Sequence, residues 1–441
     1  MNDSIAMLEP AIEAMSVQEL AASRERSWLL QWEYVRAHSR FYQSKFGRAA
    51  SATLPLERLA DLPLTDKGEL RDSVRRHPPF GDHLSCGETE VTRLHRTSGT
   101  TGDAINIVWT EQDAGVTARV GARALFAAGL RPTDRVVHCL NYCLWTGGLT
   151  DHLSLEATGA TVVPFGVGNT RRLLQTIDEL GITAISCTPS YPALLEQVLT
   201  ETSGRKPREL GLRLALFGGE AGLDNEDFRQ GLEQRWGFAV RNANYGLSEV
   251  LSLFAGQCPF TNDLHFHAGD VVFAELIDPK NNATLPIEPG SSGELVLTNL
   301  YRQAQPLVRY RTGDIVTIAA IEPCPCGRTS WRFRVVGRTD DMFNVRGINV
   351  FPAAIFEVLA AAGDLTSGHF RVTLRGPGPY DRIEMQVEAA LGLAADKFDG
   401  AAAKLEKLVR DRIGAGCDIA MVEHMSLPRT DGKTSWIERP E

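Results

Sequence analysis

The stretch 95–102 reads His-Arg-Thr-Ser-Gly-Thr-Thr-Gly and sets the hydroxyls of Thr97, Ser98, Thr100 and Thr101 beside Gly99 and Gly102. Glycine lets the backbone turn tightly and approach a ligand, while hydroxyls and freed N–H groups aim donors at an anion, so this is a phosphate cradle. It is not a Walker loop, which needs Lys and then Ser or Thr after its last glycine; Asp103 follows Gly102 here. Four more polar clusters come after it. Asn244-Tyr-Gly-Leu-Ser-Glu249 offers an aromatic face, a tight turn at Gly246 and a carboxylate. Tyr310-Arg-Thr-Gly-Asp314 sets an Asp after an apolar run, suited to accept two hydrogen bonds from a ribose diol. The segment 337–349 joins the basic Arg338 to a flexible, glycine-bearing stretch, and 428–433 presents Lys433 on a turn.

A second constellation is metal-like. Cys258, Cys324 and Cys326, with His265 or His267, offer three thiolates and one imidazole, a closed tetrahedral set suited to structural zinc. Reduced, buried cysteines are the alternative.

These groups need a scaffold. Between about 112 and 245, helical patterns alternate with short apolar runs at 135–140, 160–164, 184–187, 213–217 and 239–244, the rhythm of βαβ units around a parallel sheet. Ligands of such sheets sit at the carboxyl ends of the strands, so the residues just after each run matter most. Beyond 270 the pattern predicts antiparallel strands, and beyond Gly337 a small α+β unit: helices near 353–362 and 396–412, strands near 369–375, 382–389 and 418–425. The domain expectation is 1–338, with a β subdomain at about 258–337, followed by 339–441. Residues 17–45 read as amphipathic helices packed on the outside of the main domain, and Thr65 as the N-cap of a helix that follows it.

The 441 residues carry 43% apolar and 23% charged side chains, an ordinary globular composition whose length suggests two to three domains. A net charge of −9 with no large basic run argues against a nucleic-acid surface, so an anionic ligand must be met by local donors. No apolar run is long enough to span a bilayer, and the first residues lack a signal-type core; the expectation is a cytoplasmic protein with no membrane partner. Eight cysteines are too sparse for a disulfide scaffold.

Taken together, the five ordered motifs resemble the adenylate-forming acid ligases, and among them the phenylacetate-CoA ligase type. The pieces that carry the likeness are 245–250 (Tyr-Gly-Leu-Ser-Glu-Val), 306–312 (Pro-Leu-Val-Arg-Tyr-Arg-Thr), 323–328 (Pro-Cys-Pro-Cys-Gly-Arg) and 346–352 (Arg-Gly-Ile-Asn-Val-Phe-Pro). The resemblance covers nearly the whole chain. It implies an α/β fold, with a large N-terminal domain of mixed and parallel sheets plus a β subdomain, and a small mobile C-terminal α+β domain.

The implied reaction has two steps. A carboxylate attacks the α-phosphate of ATP to give an acyl-adenylate and pyrophosphate, and a thiol, that of CoA, then expels AMP. By this likeness Thr97, Ser98, Gly99, Thr100, Thr101 and Gly102 hold the phosphates, Glu249 binds Mg²⁺, Tyr245 stacks on adenine, and Asp314 and Arg338 meet the ribose. Asn244, Gly246, Gly219 and Glu220 complete the nucleotide site. Lys433 reaches the reacting carboxylate, and Asp340 is the hinge. Strand-end logic and the likeness together assign the acid pocket to Tyr142, Trp145, Gly147, Gly148, Tyr191 and Gly218. One departure stands out: the family's loop usually continues with a basic residue and a proline, where this chain has Asp103-Ala104. The partners expected are the acid, ATP and CoA. An acyl carrier protein or an amine is the alternative acceptor, a homodimer is an open option, and a retired nucleotide-binding paralogue is the rival of another class.

Overall fold

The computed structural model describes residues 6–47, 53–97, 104–220, 223, 225–339, 341–428 and 436–440. Short helix α1 (Pro10–Glu13) leads into α2 (Val17–His38) and α3 (Arg40–Phe46). Ser16 starts α2 with a capping box, its hydroxyl accepting from the Glu19 amide while Glu19 reaches back to the Ser16 amide. The expectation that 17–45 lies outside the main body is corrected here. Trp28, Trp32, Val35 and Tyr42 are fully buried in the largest apolar core, because α2 lays its aromatic stripe against the β-rich half of the molecule. Helix α4 (Lys67–Arg76) is capped by Asp66 through a capping box with Glu69, not by Thr65. Thr65 instead buries its hydroxyl and donates it to the Val308 carbonyl at 2.8 Å.

A hairpin of β1 (Arg93–Arg96) and β2 (Asn106–Trp109) flanks the phosphate-cradle loop, and α5 (Glu111–Ala127) follows. Five strands then alternate with helices: β3 (Arg135–His138), α6 (Thr146–Glu156), β4 (Thr161–Pro164), α7 (Thr170–Leu180), β5 (Ala184–Cys187), α8 (Tyr191–Ser203), β6 (Leu214–Gly218), α9 (Glu226–Trp236) and β7 (Ala239–Leu247). They pair in parallel in the order β4-β3-β5-β6-β7, so the chain reverses direction across the sheet between β3 and β5. That is a topological switch point, where the carboxyl ends of neighbouring strands open a crevice.

The β-rich segment continues this sheet with antiparallel strands. β8 (Leu251–Cys258) pairs antiparallel with β7, and β9 (Thr261–Phe266), β10 (Val272–Ile277), β11 (Thr284–Leu285), β12 (Ser292–Asn299), β13 (Tyr310–Ala320) and β14 (Arg332–Arg338) extend it. Among the described residues this makes one sheet of twelve strands, with four parallel pairings from β4 to β7 and seven antiparallel ones beyond.

The remaining residues build a smaller unit. It contains the hairpin β15 (Phe343–Val345) and β16 (Ile348–Val350), helix α10 (Pro352–Ala360), β17 (Thr366–Thr373), β18 (Ile383–Ala389), α11 (Phe398–Ile413), β19 (Cys417–Val422) and β20 (Ile437–Glu438). Its sheet runs β19-β18-β17-β20 over a core of its own, with Ile355, Leu359, Val372 and Leu405 fully buried. It meets the large body where Phe356 packs edge-on against Phe228, with ring centroids 5.9 Å apart, and where the Asn225 side chain donates to the Glu357 carbonyl at 3.1 Å. No helix among the described residues is long and apolar enough to cross a membrane.

If α2 belongs to the core, Trp32→Ala should destabilise the large body by about 3–5 kcal/mol through the cavity it leaves. Leu30→Ala, at an exposed position of the same helix, should change stability by less than about 0.5 kcal/mol. Denaturant unfolding of the two variants checks the contrast.

Candidate active site

Several of the expected site residues lie at the carboxyl ends of β3, β6 and β7 and on the facing strands β13 and β14. Thr97, buried at the end of β1, closes the base of the cradle: its amide donates to the Ile105 carbonyl and its hydroxyl accepts from the Ile105 amide, both at 3.0 Å. Ser98, Gly99, Thr100, Thr101 and Gly102 lie outside the described residues, as do Asp340 and Lys433. The Arg96 amide donates to the Leu144 carbonyl at 2.8 Å, which ties the strand leading into the cradle to the loop that carries Tyr142 and Trp145.

On β7 and its exit, successive side chains point to opposite faces. Tyr245 turns toward the antiparallel half, where its ring sits edge-on to Phe254 and Phe333. Its hydroxyl donates to Asp314 Oδ2 at 2.6 Å. Arg338 takes the other oxygen of the same carboxylate at 2.5 Å, because β13 and β14 pair Asp314 directly opposite Arg338. Burial and the neighbouring Asp314 charge push the Tyr245 phenol well above its ordinary value, so it stays a donor. Tyr245, Asp314 and Arg338 thus converge from three strands, while Asn244 turns to the other face and donates to Asp151 on α6. Gly246 lies in the irregularity between the Tyr245–Ala255 and Leu247–Leu251 pairs.

Glu249 is buried at the turn into β8, and Arg302 holds its backbone by donating to the carbonyls of Glu249 and Val250 at 3.0 and 2.9 Å. Its carboxylate meets Lys67 Nζ at 2.8 Å. Burial alone would raise the Glu249 pKa; the Lys67 charge and hydrogen bond outweigh it, with Arg338 adding, and hold the carboxyl below its ordinary value. Sequence reasoning missed Lys67. Its only sequence signal is its place one residue after a helix cap, which does not say which carboxylate lies across the fold.

Of the residues expected to line the acid pocket, Tyr142, Trp145, Gly147 and Gly148 follow β3 and Gly218 ends β6. Trp145 precedes α6, and its indole lies 2.9 Å from where a side chain on Gly147 would begin and 3.9 Å from the same point on Gly219. Two glycines are required by close approach. A Cβ on Gly148 would sit 2.3 Å from the Asn141 carbonyl oxygen, and one on Gly218 only 2.5 Å from Asn244 Cβ. Tyr142 hydrogen-bonds His152 Nδ1 at 2.9 Å and packs edge-on to His138.

His138 was also missed. Its Nε2 donates to the Gly147 and Gly148 carbonyls at 3.2 and 2.9 Å and rivets β3 to the glycine turn, while burial lowers its pKa to about 4 and keeps it neutral. Glu220 accepts from the Ser190 amide at 3.2 Å at the start of α8. Tyr191 is set apart from the pocket group: it packs against the parallel-sheet core, its hydroxyl 3.5 Å from that of Thr170.

Cys258, His265, Cys324 and Cys326 bring their ligand atoms within 4.8 Å of one another, all buried. Cys258 and Cys324 sulfurs are 3.8 Å apart, and Cys326 Sγ is 3.8 Å from His265 Nε2. A tetrahedron with metal–sulfur bonds of about 2.3 Å has sulfur–sulfur edges of about 3.8 Å, so the set fits zinc. His265, with Nδ1 facing Ser330 Oγ at 3.3 Å, takes the fourth corner; His267 stands outside the group.

Comparison with known proteins agrees with this geometry. Residues 59–300 match the AMP-binding enzyme family and 347–438 its AMP-binding enzyme C-terminal domain. The chain is 34% identical to the phenylacetate-coenzyme A ligase of Thermus thermophilus, over 97% of each chain. It is 33% identical to that of Escherichia coli, over 97% of this chain and 96% of the other. The crystal structure of 2-hydroxyisobutyryl-CoA ligase in the postadenylation state, with 2-HIB-AMP, superposes with a TM-score of 0.89 at 27% identity, covering 98% of this chain and 92% of that one. The thioesterification state of that ligase, with 2-HIB-AMP and CoA, gives 0.70, covering 98% and 91%. The chain belongs to the AMP-binding, adenylate-forming enzyme family, within its phenylacetate-CoA ligase-like group.

Proposed function

We propose that this chain activates an aryl carboxylic acid with ATP, forms the acyl-adenylate with release of pyrophosphate, and passes the acyl group to the thiol of CoA with release of AMP. The observation that carries the reading is the convergence of Tyr245, Asp314 and Arg338 beside a buried Glu249, with Trp145 and the glycines at the carboxyl ends of β3 and β6.

In this reading the Tyr245 ring meets adenine, and Asp314, oriented by Tyr245 and Arg338, accepts from the ribose hydroxyls. The hydroxyl loop that follows Thr97 donates to the phosphates. Glu249 is the oxygen ligand for Mg²⁺, which favours carboxylates beside phosphates; its lowered pKa keeps it anionic for that purpose. Lys433 neutralises charge that develops on the α-phosphate. We place the domain boundary at 338/339 and the hinge at Asp340, so that the C-terminal unit carries Lys433 in for adenylation and out for thioester formation. The relatives from Thermus thermophilus and Escherichia coli are CoA ligases, which favours CoA over a carrier protein or amine as acceptor. Cys258, His265, Cys324 and Cys326 hold a structural zinc that pins β9 to the segment before β14.

Lys433→Ala should slow acid-dependent pyrophosphate release on the order of 10²-fold or more, the size expected for losing one transition-state donor. Adenylate formation at the parental rate would refute the assignment. In Lys67→Met the burial of Glu249 is no longer offset, so its carboxyl protonates at higher pH and the acid limb of the pyrophosphate-release profile should move upward. An unmoved limb would mean that Glu249 does not depend on Lys67. Elemental analysis of the purified protein should find about one zinc per chain, and Cys326→Ser should lose it.

A further inference from the structure

The cysteine-histidine set adjoins a part of the chain that the reaction does not use. Its members come from two segments: Cys258 and His265 from β8 and β9, and Cys324 and Cys326 from 321–331, which runs from β13 to β14 without a helix or strand. Within that segment the knuckle 324–328 is closed by two backbone bonds. The Gly327 amide donates to the Cys324 carbonyl at 2.8 Å, and the Cys324 amide to the Arg328 carbonyl at 2.9 Å. A metal bonded to all four side chains would lock this knuckle against β8 and β9.

Just past the ligands, the knuckle grips the first described residues of the chain. Arg328 Nε donates to Glu13 Oε2 at 2.6 Å in an ion pair whose side chains are both buried, and Arg328 Nη2 donates to the Ala6 carbonyl at 3.2 Å. The Thr329 amide donates to the Glu13 carbonyl at 3.1 Å, and its hydroxyl to the Met15 carbonyl at 2.6 Å. A second grip lies two residues beyond His265. Arg123 on α5, wholly buried, holds Glu9, forks onto Asp270 at 2.7 and 3.0 Å, and donates to the His267 carbonyl at 3.2 Å. Residues 6–15 are thereby strapped between the knuckle and the exit of β9.

The strap does not hold itself. Helix α1 is a single turn of four residues, and helices this short are not stable alone in water. Glu13 Oε1 does close the turn by accepting from the Glu9 amide at 2.8 Å, but Oε2 is committed to Arg328. Displacing one member of a buried ion pair leaves the other desolvated and uncompensated, so the Arg328–Glu13 contact depends on the knuckle staying in place.

We propose that the zinc set is the dock for an N-terminal strap: the metal keeps Arg328 and Thr329 in register with Glu13, and its loss releases residues 6–15 while the large sheet stays folded. This rests on the zinc reading above and adds what the metal holds in place.

The test is hydrogen-exchange mass spectrometry of the full chain, which reads local opening. In Cys326→Ser, and in the parent protein stripped with a zinc chelator, amides of 9–15 should exchange at least about tenfold faster than in the zinc-loaded parent, while β5, β6 and the C-terminal unit keep their protection. Arg328→Met should free the same amides and still carry the parent's zinc by elemental analysis, which separates the strap contact from the metal site. Unchanged exchange of 9–15 after zinc removal overturns the proposal. So does loss of protection throughout the sheet, which would make the metal a support of the whole body. A parent protein that is purified without zinc and takes up none when it is added overturns the zinc reading, and the dock with it.

Discussion

The pairing of β7 with β8 is the constraint on which the site depends. Here the sheet passes from parallel to antiparallel pairing, and the chain between Tyr245 and Leu251 must turn back within a few residues. That reversal sets Asn244 and Tyr245 on opposite faces and leaves Glu249 buried at the bend. A one-residue slip would exchange the two faces, putting the phenol where the carboxamide belongs. Arg302 guards against this by holding the Glu249 and Val250 carbonyls from the opposite side.

Electrostatics at the site are local. The chain carries a net charge of −9, yet each carboxylate central to the site has a cation set against it: Lys67 for Glu249 and Arg338 for Asp314. The Lys67 charge holds the buried Glu249 carboxyl below its ordinary value, where burial alone would raise it. Asp151 is the contrast. It has hydrogen-bond partners but no opposing charge among the causes of its shift, and its pKa rises accordingly. Glu249 and Asp151 are thus driven apart in character by their surroundings, the one held anionic and the other largely neutral near pH 7.

Much of the architecture was legible in the residues. The apolar runs between 135 and 244 became β3 to β7, since a strand buried on both faces reads as a continuous apolar stretch. The cysteine set was legible too, because thiolates near a histidine have few other uses, although only the fold could choose His265 over His267. Helix α2 was misplaced for a physical reason: its many charges mask a stripe of aromatics, and charge on one face says nothing about what the other face meets. The strand patterns beyond 270 announced antiparallel pairing but not that these strands would extend the parallel sheet, because a strand pattern does not reveal which sheet it will join.

The amino-acid sequence by itself determined the kinds of group available and their order along the chain: a hydroxyl loop, an aromatic beside a carboxylate, a ribose-type Asp, a late lysine, a set of thiols. These are local properties, set by residue type and spacing. Only the tertiary structure decided which groups face one another. Lys67 meets Glu249 across 182 positions of chain, Asp151 meets Asn244 across 93, and His138 meets the glycine turn of α6. Such pairings depend on strand order and register, which arise from the packing of the whole sheet and leave no signature at either residue.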